Sequence, residues 1–541
     1  MVMMRAGTCV EHVLSQPAED DGAFVVRIDE PPAKPAPVHI EPAQRPPLLR
    51  LRHALRIAVG KRLQFAPEFG PRGVLGAASV RVVRCGAPPL RGEWWATDQF
   101  QVVAEAYRHN FGHGRIRDGR SQLCMYRRGK KVVDAWGDSL GADESYSGDS
   151  LQAVFSCSKV MCAIVFGWLR DRGHIDYDAK VCTYWREFAA GGKEDITVQD
   201  LLKHDGGIPW LDDKVPSELT VGTERLDELA ALLAAQTRIF PPGKRVYHAV
   251  IQGPLLNELC RRADPRRRTI AQVLSDEIAQ PLGIDVYLSL RDDQDGRLAT
   301  SYTPSDLWAK YNLLAPYAAT KCFLGTDQAG AGLSEMIANQ SDLDSLYNKA
   351  SRPVARDEDA SSDEQRRRFI NTPALCASNG MANARGLAKL GAMIVNGGEV
   401  DGVRILRRST VREMCSTLDV RPDAFFGNAD MGWTRGGFYR WDHTAKVYAI
   451  REGAIGWAGL GGSCLILDME KGLATAFCTT SMRHAATTEL RWAPFFRAAY
   501  EAIATAEQPS HWRALAIAAR VFVRHGPQYD KRLQALPVHI E

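Results

Sequence analysis

At 541 residues the chain exceeds the roughly 250–300 residues at which one hydrophobic core stops growing, so a large domain with appendages is expected. Hydrophobic residues at 45%, charged residues at 24% and a net charge of +4 are ordinary for a soluble globular protein and leave no basic surplus that would call for nucleic acid. The 12 cysteines form no CxxC pair and several sit in apolar runs, Cys162 and Cys478 among them, which suits reduced core thiols in an intracellular protein and argues against a secreted disulfide framework.

The first residues, MVMMRAGTCVEHVLSQPAEDDG, lack the apolar stretch of a signal peptide, and no run of roughly 18 apolar residues predicts a membrane span. Residues 1–95 read as a poorly ordered extension, because EPPAKPAPVHIEPAQRPP is Pro-rich and should be extended. Inside it, residues 45–62 carry Arg45, Arg50, Arg52, Arg56, Lys61 and Arg62 with no acid and with leucines near helical spacing. Such a segment is compatible with peripheral contact to an anionic membrane, with an internal targeting element, or with a plain solvated linker. The expected compartment is therefore the cytoplasm, with the mitochondrion as the alternative. The string PVHIE occurs at Pro37–Glu41 and again at Pro537–Glu541; two copies are too few for a repeat architecture and stand as coincidence or as a paired docking tail.

From about Trp95 the texture is globular, and residues 96–507 read as one large domain. SQLCMYRRGKKVVDAWG (121–137) predicts two strands around an Arg-Gly turn. Helical periodicity follows to about 340, and SRPVARDEDASSDEQRRR (351–368) is a charged, exposed loop. GGSCLILDMEKGLATAFCTT (461–480) predicts a second hairpin turning at Glu470 to Gly472, and a helix over about 487–506 follows. HWRALAIAARVFVR (511–524) is a further amphipathic helix within a C-terminal segment, 508–541. Strands at both ends with helices between them imply a sheet assembled from distant parts of the chain, an α/β (α+β) layer architecture with a helical insertion.

In AVFSCSKVMCAIVFGWLRDRG (153–173), Val160, Met161, Ile164, Val165, Trp168 and Leu169 share one helical face that ends at Gly173. Ser156 thus stands at the start of a buried helix, with Lys159 three residues on and on the same face. A serine hydroxyl needs a base to take its proton, and a lysine serves only when neutral. Burial and the positive end of the helix both disfavour the ammonium. By itself, Ser-x-x-Lys is a weak signal.

Further motifs strengthen it. The segment 155–209, with ITVQDLLKHDGGIP at its end, resembles the opening catalytic stretch of the class C β-lactamase-related, penicillin-binding-protein-like serine hydrolases. The resemblance resumes in FPPGKRVYHA (240–249), IAQVLSDEIAQPLGID (270–285), NGMANARGLAKLGAMIVNGGEVDGVRIL (379–406) and GWAGLGGS (456–463), in the family's order. It implies a β-lactamase/transpeptidase-like fold: an antiparallel sheet flanked by N- and C-terminal helices, plus an all-helical insertion. It also implies Ser156, Lys159 and Tyr247 as the catalytic trio. Two departures bear on substrate. Ala249 stands where β-lactamases carry the Asn of Tyr-x-Asn, and Trp457-Ala458-Gly459 replaces Lys-Thr-Gly, as in esterase-like members. Losing that cation removes the partner of a substrate carboxylate and favours neutral esters.

On the same resemblance, Trp457 and Gly459 border the substrate, His248 lines the acyl pocket or is structural, and the N–H groups of Ser156 and Leu460 form the oxyanion hole. His109 and His113 lie four apart without a third ligand, and no phosphate-binding glycine loop is present, so no metal and no cofactor is read. The expected activity is a serine hydrolase acting on small-molecule carboxylic esters or amides through a covalent acyl-enzyme. The alternatives are a silent scaffold or binding module, and a β-lactamase or D-peptidase. Oligomeric state is not legible.

Overall fold

The computed structural model describes residues 90–507 except 112–117, 141–144, 291–293, 295, 302–341, 343, 356–369, 443–447 and 483–490, together with two short strands nearer the N-terminus. Those strands, Leu63–Phe65 and Val80–Val82, pair antiparallel within a separate unit spanning residues 1–89. The basic segment 45–62, both PVHIE strings, most of the 351–368 loop, His113 and the 511–524 helix lie outside the described residues.

The larger unit begins with β1 (Arg91–Ala96) and α1 (Gln101–Arg108), then the hairpin β2 (Arg120–Arg127) and β3 (Lys130–Asp138). Next come β4 (Gln152–Phe155), α2 (Ser158–Asp171), α3 (Val198–Leu202), α4 (Leu226–Ala235), α5 (Gln252–Ala263), α6 (Ile270–Leu274) and β5 (Val286–Tyr287). After β6 (Gly380–Ala382), α7 (Ala384–Val395) and α8 (Arg408–Met414), the chain forms β7 (Thr417–Asp423), β8 (Ala429–Thr434), β9 (Tyr439–Trp441), β10 (Ala454–Ala458), β11 (Cys464–Asp468) and β12 (Leu473–Thr479). It closes with α9 (Ala493–Glu507).

Nine strands form one sheet in the order β7-β8-β9-β10-β11-β12-β2-β3-β1, every pair antiparallel. Both predicted hairpins are present, and they meet where β2 pairs with β12, Ser121 opposite Thr479. The sheet takes in residues from Arg91, which composition alone assigns to the extension: the Pro-rich texture ends at Pro89, but edge-strand pairing has no compositional mark. A separate three-stranded antiparallel sheet has the order β4-β6-β5.

Successive strand residues face opposite sides. Ser121 Oγ hydrogen-bonds Tyr107 of α1 on one face, while Gln122 accepts from the Ala384 N–H at the start of α7 on the other. Helices therefore cover both faces, with α9 packed on α1. The sequence predicts one apolar face on α2, but every residue of it except Arg170 is buried. It is enclosed by α5, α6, α8 and β10, and Gly173, in the left-handed region at φ +73°, ends it. Among the described residues no helix is long and apolar enough to cross a membrane.

Candidate active site

Ser156 sits between β4 and α2, and the chain turns into it through Phe155, whose φ of +46° is costly for a side chain of that size. Ser158 holds this turn: its hydroxyl donates to the Phe155 carbonyl and accepts from the Gly380 N–H at 2.7 Å, tying the helix start to β6. Sequence reasoning passes over Ser158, whose only mark is a polar residue entering an apolar helix.

Lys159 lies in the first turn of α2 with 3% of its surface exposed. Its Nζ is 2.8 Å from the Ala249 carbonyl, 3.0 Å from the Ala377 carbonyl and 3.4 Å from Ser156 Oγ. No carboxylate is bonded to it, so burial alone drives its pKa from 10.5 down to about 7. A neutral amine has two N–H groups and one lone pair. Two backbone carbonyls take the two hydrogens, and the remaining direction faces the Ser156 hydroxyl. Ala249, where the β-lactamase pattern has Asn, contributes through its main chain.

Tyr247 completes the cluster. Its hydroxyl is hydrogen-bonded to Ser156 and accepts from Trp457 Nε1 at 3.0 Å, and its ring lies 4.8 Å from Lys159 Nζ. Burial pushes the phenol well above its ordinary value, against the two hydrogen bonds that lower it. The ring is walled by Phe425, Phe426 and Trp433, with Trp457 at 5.5 Å.

The loop bearing Tyr247 is held by the segment His204–Ile208 of the ITVQDLLKHDGGIP stretch. Arg245 makes a bidentate ion pair with Asp205 at 2.9 and 2.8 Å, with side chains 0% and 6% exposed, and donates to the Met431 carbonyl. The His248 N–H donates to His204 Nδ1, and the Ile208 N–H donates to His248 Nε2 at 3.1 Å. His248 Nδ1 lies 2.6 Å from the Val246 carbonyl, so the ring carries its proton there and is neutral, with burial lowering its pKa to about 4. Both nitrogens are thus committed to backbone, and the residue is 1% exposed with its ring against His204. Asp423, 0% exposed at the end of β7, accepts the Tyr247 N–H at 3.0 Å and the Phe425 N–H at 2.9 Å through one carboxylate oxygen.

On the far side, β10 ends beside β4. A Cβ at Gly459 would lie 2.0 Å from the Val154 carbonyl oxygen, so only glycine permits this approach. Leu460 follows with 52% exposure. Neither its N–H nor that of Ser156 has a hydrogen-bond partner among the described residues. Of the positions singled out from sequence, Ser156, Lys159, Tyr247 and Trp457 are in direct contact, Gly459 and Leu460 follow at the end of β10, and His248 packs on His204, which itself meets the Tyr247 ring. No cluster of three metal-ligating side chains occurs among the described residues.

A serine at the mouth of a buried helix, with a carboxylate-free lysine and a phenol upon it and an antiparallel sheet alongside, defines a penicillin-binding-protein-like serine hydrolase. The chain belongs to the Beta-lactamase family, which it matches over residues 121–493. It is 31% identical over 391 residues to the esterase/β-lactamase LipL of Mycobacterium tuberculosis, covering 70% of this chain and 81% of that one. The crystal structure of a family VIII carboxylesterase is 28% identical, with a TM-score of 0.63 over 76% of this chain and 100% of that one. A penicillin-binding-protein homologue from Caulobacter crescentus, 24% identical with a TM-score of 0.61 over 76% of this chain and 100% of that one, shares the fold.

Proposed function

We propose that the protein is a carboxylesterase-type serine hydrolase that forms a covalent acyl-enzyme on Ser156. The observation that carries this is the setting of Lys159, whose two hydrogens are taken by backbone and whose third direction faces the serine at 3.4 Å. Neutral Lys159 receives the serine proton as Oγ attacks the ester carbonyl. The Ser156 and Leu460 N–H groups stabilise the oxyanion. Tyr247 passes the proton to the departing alcohol, and water, activated by the same pair, then releases the acid. Gly459 lets the chain at the end of β10 pass close to the substrate, and His248 acts by holding the Tyr247 loop.

A neutral ester is favoured over a β-lactam because Ala249 and Trp457 replace the amide and the cation of the β-lactamase pattern. The names of the esterase relatives support the same choice. Against a silent scaffold stands the intact trio, which folding alone does not require: a buried lysine without a carboxylate is costly.

The test is Ser156→Ala, assayed with short p-nitrophenyl esters and a fluorophosphonate probe. Ester turnover should fall by at least about a thousandfold and labelling should vanish. A variant that labels and turns over like the parent would sink the assignment. Nitrocefin hydrolysis by the parent at a rate comparable with simple esters would move the reading to a β-lactamase.

A further inference from the structure

The sequence places Trp457 at the substrate as the neutral replacement of a cation. The geometry points to a different role: we propose that Trp457 is a positioning residue for Tyr247, its indole N–H holding the phenol oxygen in place beside Ser156 and Lys159. This rests on the acyl-enzyme reading above.

The argument begins with the inventory of donors. An indole N–H donates and never accepts. Trp457 Nε1 lies 3.0 Å from the Tyr247 hydroxyl, so in that bond the phenol oxygen is the acceptor and its own hydrogen points elsewhere. Ser156 meets the same oxygen in an interaction that favours the ionised phenol, and Lys159 Nζ lies 3.4 Å from Ser156 Oγ and 4.8 Å from the Tyr247 ring. A partner able to accept, such as a hydroxyl, carboxylate or neutral amine, would let the phenol turn its proton away from the reaction. Trp457 forbids this at no cost in charge.

Packing fixes the indole as firmly as a hydrogen bond could. Trp457 is 8% exposed, and its ring meets Tyr439 at 4.9 Å, Trp433 at 5.0 Å and Phe426 at 6.1 Å, so the N–H vector is set by an aromatic cluster across β8, β9 and β10. Backbone pairing of β10 with both β9 and β11 anchors it further. When Tyr247 gives its proton to the leaving alcohol, negative charge develops on an oxygen already facing an N–H in a dry site. That bond strengthens in the transition state more than in the ground state, which is the condition for an effect on turnover and not on binding. A wall of the substrate pocket would instead act on KM.

The experiment compares the parent with Trp457→Phe, which keeps a ring but no donor, and with Trp457→His, which returns an N–H. A hydrogen bond to a developing charge predicts a kcat for short esters about ten- to a hundredfold lower in Trp457→Phe, with KM within about threefold, and partial recovery in Trp457→His. Labelling of Ser156 by fluorophosphonate persists, slowed in proportion. The double variant Trp457→Phe/Tyr247→Phe should be no slower than Tyr247→Phe alone, because the indole acts only through the phenol. That comparison is made at matched folded fraction by circular dichroism, and it decides the matter even if the indole's loss lowers the melting temperature.

A change confined to KM, or losses that multiply in the double variant, overturns the positioning role while leaving the acyl-enzyme reading standing. Absence of Ser156 labelling in the parent overturns that reading itself.

Discussion

The most demanding consequence of the site concerns Lys159 and pH. Burial without a counter-charge brings its pKa from 10.5 to about 7, which corresponds to about 5 kcal/mol against the ammonium. At an undisturbed pKa only about one lysine in three thousand would be neutral at pH 7, whereas here about half are, about one-tenth at pH 6 and about nine-tenths at pH 8. If the neutral amine is the base, kcat/KM for a neutral ester climbs about tenfold between pH 6 and pH 8 with a midpoint near 7, and the profile is read with p-nitrophenyl butyrate by initial rates. Stability carries the same signature. The folded-state value lies below that of the unfolded chain, so between about 7 and 10.5 the unfolded state binds more protons and stability rises with pH. Below 7 the deficit is present in full. Lys159→Met should abolish turnover and flatten the pH dependence of urea unfolding over that window. A kcat/KM independent of pH from 5.5 to 8.5, or a Lys159→Met variant that still turns over, would refute the reasoning.

Two further predictions test the frame that holds the trio. Arg245→Met strands Asp205 in the interior; the lysine and arginine nearest to it, Lys203 at 3.7 Å and Arg421 at 3.6 Å, compensate only in part. The expected loss is about 3 kcal/mol in urea unfolding, with ester turnover lowered because the Tyr247 loop loosens. Gly459→Ala forces a methyl to within 2.0 Å of the Val154 oxygen, so β10 and β4 must part. That costs about 1–3 kcal/mol and lowers kcat; thermal melts and activity unchanged from the parent would show that the two strand ends need not touch.

What the sequence discloses and what it conceals follow from range. Ser156 stands two residues before α2 and Lys159 in its first turn, so their separation of three along the turn into the helix puts them together. Both hairpins are legible because turn and strands are contiguous. Tyr247 is found through its Pro-Gly turn and the family's motif order. The residues that hold these groups are not legible, because each works across a long separation with no periodic trace: Ser158 to Gly380, Arg245 to Asp205, and Asp423 to Tyr247. For His248 the sequence leaves two roles open, pocket residue or structural histidine, because neighbouring the phenol along the chain does not say which groups its ring meets; in the fold two backbone groups take its ring nitrogens.

The seam between β2 and β12 joins Arg127 to Leu473, residues from the two ends of the hydrolase unit. No local turn can bring them together, and loop closure over such a span is slow. On a ribosome adding roughly 5–20 residues per second, the first hairpin waits some 20–70 seconds for its partner to be made. For that interval the edge of β2 is an open template, rich in apolar side chains, and the growing chain depends on solubilising neighbours or chaperones to keep it from pairing with the wrong strand.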